Sequence, residues 1–227
     1  MNGTPSVIVF DVNETLSDMS PMADHFAEVG APAELAKLWF AGLLRDGFAI
    51  TAAGGNGTFA DIAAGALRGL LPAAGVGRDL DGAVERIMAG LAGLGVHADV
   101  PAGVRGLRTA GYRLATLSNG SAEIADRLFT TAGIRDQFER LLSVDGAPGW
   151  KPAKAAYDYA AAACGVAPER MLLVAVHPWD IDGAARAGLA TAWINRTGSR
   201  YPDYFTAPDY TAASVAELPE VLGPAGD

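Results

Sequence analysis

The run Val7-Ile8-Val9-Phe10, ending in Asp11 with Asn13-Glu14-Thr15 close behind, constrains this chain more than any other stretch. Short apolar, β-branched runs that stop at polar residues read as buried strands of a parallel sheet. In open α/β sheets, reactive groups gather beyond the carboxyl ends of the strands. Asp11 is therefore placed where chemistry occurs. Capping a turn or a helix N-terminus would also explain an Asp here, and the stretch alone does not separate the two roles.

Beyond Leu16 the pattern changes. From about Pro21 to His97 helical periodicity dominates: Glu34–Arg45, Phe59–Leu67 and Leu80–Leu91 carry apolar residues at helical spacing, with glycine-containing breaks at 51–57 and 75–77. Strand and helix signals then alternate. Strands are predicted at Tyr112–Leu117, Arg140–Val144, Met171–Val176 and Thr191–Ile194. Helices are predicted at Pro101–Ala110, Ala122–Ala132, from Lys151-Pro152 to about Cys164, and at Ile181–Gly188. This alternation predicts an α/β fold, a doubly wound parallel sheet with a Rossmann-like core. The expected division is a core of residues 1–16 and 98–227 with an inserted helical domain, 17–97. The tail from Gly223 to Asp227 reads as frayed.

With 227 residues, half of them apolar, the chain is long enough for a substantial core. A net charge of −9 argues against a nucleic-acid or anionic-membrane surface. A small anionic substrate remains compatible, because a few local cations decide that. Cys164 is the only cysteine, which excludes an intrachain disulfide and a cysteine-cluster metal site; it reads as a small core residue. There is no basic, then apolar, leader pattern at the N-terminus, and no apolar run approaching the ~20 residues of a spanning helix. A cytoplasmic protein without a membrane segment is expected.

Polar groups stand at four predicted element ends: Asp11 and Thr15, Ser118 and Asn119, Lys151, and His177 with Asp180. Each has a plainer reading. Ser118 and Asp180 suit helix caps, Asn119-Gly120 an ordinary turn, Lys151 a solvated surface, and His177 a satisfied rim histidine. A parallel sheet, however, would bring all four sets to one edge.

Together these residues resemble the haloacid dehalogenase superfamily. The resemblance rests on Phe10-Asp11 followed by Thr15-Leu16, Leu117-Ser118-Asn119-Gly120-Ser121, Lys151-Pro152 and the acidic loop at Asp180. Leu142-Ser143-Val144-Asp145, Tyr157 and Trp193-Ile194-Asn195-Arg196-Thr197-Gly198 make it similar to the 2-haloacid dehalogenases within that superfamily. The resemblance implies a helical cap, a homodimer, no cofactor and no metal. It implies that Asp11 attacks C2 of a short 2-haloalkanoate and that water hydrolyses the resulting ester to the 2-hydroxy acid. Lys151 would hold Asp11 ionised, Thr15 would orient it, and Asp180 would fix Lys151 and activate water. Ser118 would bind the substrate carboxylate, Asn119 would face the halide, and Phe40, Trp179 and Tyr157 would complete the substrate-binding set, Tyr157 supporting Lys151 or Asp180 through its hydroxyl.

Phosphatases of the superfamily carry an acid two residues after the nucleophile; here that residue is Asn13, and a departing halide needs no proton. An Mg-dependent phosphatase, drawing on Asp180 and Asp182, is the alternative. Two positions depart from the dehalogenase pattern. Phe40 follows Leu38-Trp39 where an arginine receives the halide, and Arg45 lies about 140° away around the helix. His177 replaces a water-positioning amide, and would act either as a general base near neutral pH or as a positive charge. Both changes open the substrate to other 2-substituted acids, such as a fluorinated acid or a strained ring.

Overall fold

A computed structural model describes residues 5–225. Strand β1 (Val7–Phe10) is buried at every position, as a strand covered on both faces must be. The chain then leaves the sheet for helices α1 (Met22–Glu28), α2 (Leu35–Ala52), α3 (Phe59–Leu70) and α4 (Leu80–Ala92). It returns through α5 (Val100–Thr109) and runs β2 (Arg113–Ser118), α6 (Ala122–Thr131), β3 (Arg140–Ser143), α7 (Lys154–Cys164), β4 (Met171–Ala175), α8 (Pro178–Ala187), β5 (Ala190–Ile194), β6 (Tyr210–Ala212) and α9 (Leu218–Leu222).

The sheet order is β3-β2-β1-β4-β5-β6, parallel throughout. This is the Rossmann-like order, and its direction of growth reverses beside β1. Asp11 therefore stands at the switch point, the crevice where α/β sheets bind ligands. Ile8, Phe10, Leu172 and Val174 lie in the core beneath it.

The chain divides into a sheet unit, taking the residues up to Ser17 and from Gly95 onward, and a helical unit, Asp18–Leu94. Ser17 and Val96 form an antiparallel bridge, and the His97 N–H donates to the Leu16 carbonyl at 3.0 Å. These pairings place both crossings with the sheet, so the helical unit is shorter than 17–97. Within it, the indole N–H of Trp39 donates to the Ala63 carbonyl at 2.9 Å and Phe26 lies against the Trp39 ring. Thr58 and Asp79 cap α3 and α4 by accepting the Asp61 and Gly82 N–H groups. Among the described residues no helix is long and apolar enough to cross a membrane.

Several expectations need correction. β6 was not anticipated, because three residues carry too little periodicity to register. α7 begins at Lys154 rather than Lys151. The Lys151 N–H is held by the Asn119 side chain at 3.0 Å, so Lys151-Pro152 form a turn ahead of the helix. α8 begins at Pro178, with extended His177 before it and proline in the first turn, three residues ahead of the expected start. The tail is pinned rather than frayed as far as Ala225, whose N–H donates to the Ala110 carbonyl at 2.9 Å. Gly226 and Asp227, like residues 1–4 where a leader was sought, lie outside the described residues.

Candidate active site

The Asp11 N–H extends the sheet ladder to the Val174 carbonyl at 3.0 Å, which fixes the residue at the strand end. Its carboxylate is 4% exposed. Oδ1 accepts from Lys151 Nζ at 2.8 Å. Oδ2 accepts from the Thr15 hydroxyl at 2.6 Å and lies 3.3 Å from His177 Nδ1. The Thr15 hydroxyl in turn accepts the Val176 N–H at 3.1 Å, tying the turn after β1 to the end of β4. Arg196 holds the same turn from outside, donating to the Thr15 carbonyl and pairing with Asp99.

Lys151 is fully buried and also donates to Asp180 Oδ2 at 2.6 Å. A buried ammonium needs paired acceptors, since desolvation alone would cost several kcal/mol or more. Asp180 is completed by the Tyr157 hydroxyl, which donates to its Oδ1 at 2.7 Å. On the other side of Asp11, His177 Nε2 lies 2.8 Å from Glu14 Oε2, and the imidazole stacks on Trp179 at 5.0 Å between centroids. Lys151 Nζ stands 5.9 Å from the centre of the Trp179 ring, within cation–π range.

These contacts push the two buried carboxylates apart. Burial favours the neutral form of Asp11, but Lys151 and the His177 hydrogen bond outweigh it and hold Asp11 well below the usual carboxylate range. For Asp180, burial wins over Lys151, and repulsion from Asp11 adds to it, so its pKa is raised. Burial also opposes the charge of Lys151, yet the two carboxylates raise its pKa. One carboxylate is thus a permanent anion fit for attack, and the other is the more basic, fit to take a proton from water. His177 is pushed up to about 9: burial opposes its charge, and its hydrogen bonds to Asp11 and Glu14 overcome that. Of the two expected roles, these contacts favour the positive charge over the general base.

The structure brings Asp11, Thr15, Lys151, His177, Asp180 and Trp179 together. Three further residues expected at the substrate have these placements. The Tyr157 hydroxyl is spent on Asp180 and the residue is fully buried, so Tyr157 supports the acid rather than lining the site. The Asn119 amide accepts from the Lys151 N–H and donates to the Lys151 carbonyl at 3.3 Å, so it clamps the lysine's main chain instead of facing a halide. Phe40 lies buried on α2, in the helical unit. α2 is unbroken between positions 40 and 45, and Arg45 pairs with Asp46 at its exposed surface. Ser118 Oγ accepts the Gly120 N–H at 2.9 Å, and a Cβ on Gly120 would meet Ser118 Oγ and Asn13 Nδ2 at 3.3 and 3.4 Å. Asn13 thus sits at the Ser118 turn.

Asp182 is turned away from the site. It accepts from Thr206 at 2.7 Å and from Arg186 at 2.8 Å. The Arg186 hydrogen bond is the main cause holding its pKa at about 2. With both oxygens of Asp180 engaged as well, the loop does not offer the open oxygen set that Mg²⁺ requires. Two residues escaped the sequence reading. Glu14 has φ +63°, in the left-handed region that L side chains rarely adopt, and its carbonyl lies 3.0 Å from His97 Nε2. A charged residue in a turn reads as solvated, so nothing marked it. Gly183 lets α8 approach α7: a Cβ there would lie 2.6 Å from both Pro152 Cβ and the Tyr157 hydroxyl.

A family model for haloacid dehalogenase-like hydrolases matches residues 5–188. Haloacetate dehalogenase H-2 of Moraxella sp. (strain B) is 40% identical over 113 residues, 50% of each chain. (S)-2-Haloacid dehalogenase 4A of Burkholderia cepacia is 31% identical over 213 residues, 92% of this chain and 91% of its own. A dehalogenase crystallised with an intermediate complex superposes with a TM-score of 0.90 at 28% identity, covering 100% of both chains. The Moraxella match and those to two Pseudomonas (S)-2-haloacid dehalogenases span only 50 to 56% of the relatives' length.

Proposed function

This chain belongs to the haloacid dehalogenase-like hydrolases, and we propose that within them it is a hydrolase of carbon–halide bonds acting on short (S)-2-haloalkanoates. The observation that carries the reading is the ionised Asp11 carboxylate, held by Lys151 and Thr15 at the sheet's switch point, with Asn13 where a leaving oxygen would need an acid. Asp11 attacks C2 and halide leaves with inversion. Water, deprotonated by Asp180, then attacks the Asp11 carboxyl carbon and releases the 2-hydroxy acid. Ser118 and Trp179 line the substrate side, and the helical unit, which carries Phe40, corresponds to the family's cap. Phe40 and His177 favour a second reading, the same ester chemistry on another small 2-substituted acid. The family resemblance also supports a homodimer, with the cytoplasm as its place of work.

The test is halide release and product mass from 2-chloropropionate, haloacetates, fluoroacetate and small ring acids, in EDTA. A single turnover in ¹⁸O-water should label Asp11. Metal-dependent release of phosphate from an aryl phosphate, with no haloacid turnover, would overturn the proposal.

A further inference from the structure

We propose that His177, held by Glu14, is a catalytic cation for the second half of the reaction, stabilising the oxyanion that forms on Asp11 Oδ2 when water attacks the ester. This rests on the Asp11-ester reading above. The two oxygens of Asp11 are not equivalent. Oδ2 carries the Thr15 hydroxyl at 2.6 Å and the His177 Nδ1 at 3.3 Å, whereas Oδ1 has the Lys151 ammonium alone. In this reading Oδ1 is the alkylated oxygen, and Oδ2 remains as the ester carbonyl, on the side where Thr15 and His177 stand. When water adds to the carboxyl carbon, one proton passes to Asp180 and the carbonyl electron pair moves onto Oδ2. Thr15 already donates to Oδ2 at 2.6 Å, and the His177 ring stands 3.3 Å away, close enough for its positive charge to stabilise charge developing there. Collapse breaks the carbon–Oδ1 bond; the alkoxide takes the proton back and leaves as the 2-hydroxy acid. Asp11 returns as a carboxylate carrying the water oxygen, and one proton is released. No oxidant or cofactor enters.

Geometry favours a charged ring. Nε2 is hydrogen-bonded to Glu14 at 2.8 Å, and Nδ1 lies 3.3 Å from Asp11 Oδ2, within ion-pair distance. A ring set between two carboxylates is favoured as imidazolium, because each opposite charge stabilises its protonated form. The groups around His177 are Asp11 and Glu14 at its nitrogens and Trp179 on its face, with Lys151 and Asp180 behind Asp11 and His97 on the Glu14 carbonyl. Esterification removes the Asp11 charge. From then until hydrolysis, Glu14 is the remaining carboxylate against the ring, so it is the positioning residue that keeps the cation protonated when it is needed. This accounts for a charged residue held at φ +63° with its carbonyl tied to His97.

The two halves of the reaction should respond in opposite directions. A cation beside Oδ2 withdraws density from the nucleophile, so His177→Leu, which brings no water-positioning amide, should leave the halide burst unchanged or faster. It should slow hydrolysis of the adduct by about 10²–10³-fold, the usual cost of an oxyanion-hole donor. Rapid quench with (S)-2-chloropropionate, reading halide and intact-protein mass, separates these steps. His177→Leu should trap the acyloxy adduct at close to one per chain. Glu14→Gln should hydrolyse its adduct normally in acid but lose that rate at lower pH than wild type, which a merely structural role would not do. An unchanged adduct lifetime in His177→Leu, or equal slowing of both steps, overturns the inference while leaving the ester mechanism standing. No halide and no adduct from the wild-type protein overturns both.

Discussion

Asp11 has two flanks built from the same chemistry and set in different surroundings. On one side Lys151 and Asp180 are sealed from solvent, with Tyr157 behind them. On the other, His177 and Glu14 repeat the cation–carboxylate pairing, but their side chains are 12% and 42% exposed. Burial makes the first flank a fixed element, since neither charge can be lost without leaving the other stranded. Partial exposure and the lower intrinsic pKa of imidazole make the second flank titratable. The sheet edge thus holds its nucleophile with one cation that cannot change and another that can.

The largest effect should come from breaking the sealed flank. Lys151→Met leaves two buried carboxylates without their partner and should cost about 3–5 kcal/mol, read from urea unfolding, together with all halide release. Tyr157→Phe removes a hydrogen bond to a buried carboxylate and should cost up to about 3 kcal/mol. Gly183→Ala should act on the same contact, because its Cβ would displace the Tyr157 hydroxyl or Pro152. If Tyr157→Phe unfolds at the wild-type urea midpoint, the sealed flank is not held as described.

The titratable flank should show itself through pH. His177 has its folded pKa raised to about 9 from 6.5. Its stabilising contribution is therefore fully present below about pH 6.5 and is lost as pH rises through about 9. Wild type should lose about 3 kcal/mol across that window relative to His177→Asn, measured as urea midpoints at pH 6 and pH 9.5. Parallel pH curves for the two proteins would remove the distinction between the flanks. The smallest effect is expected from Glu14→Gln at neutral pH, below about 1 kcal/mol, because solvent screens a half-exposed pair; its signature is kinetic rather than thermodynamic.

The strands were readable because each is a local apolar run of four or more residues; β6, with three, was not. Lys151 was readable as a site residue, yet its turn was taken into a helix, because the bonds that hold it come from Asn119, thirty-two positions away in the chain. Asn119 reads as a substrate contact for a related reason, and Tyr157 as either a substrate contact or a support for Asp180, of which the hydroxyl makes the second. Sequence shows which side chains have hydrogen-bonding capacity, and only the assembled fold shows where it is spent.

By itself, the sequence determined that a carboxylate would follow a buried strand, that a parallel sheet would carry it to an edge, and that Ser118, Lys151 and Asp180 would stand at the same edge. Those conclusions follow from hydrophobic periodicity, which is local. The tertiary structure alone decided how the charges pair. Ionisation of Asp11, the raised pKa of Asp180 and the imidazolium state of His177 depend on distances of about 3 Å between residues far apart in the chain. Electrostatic energy in a poorly solvated crevice changes steeply over such distances, and no local pattern encodes them.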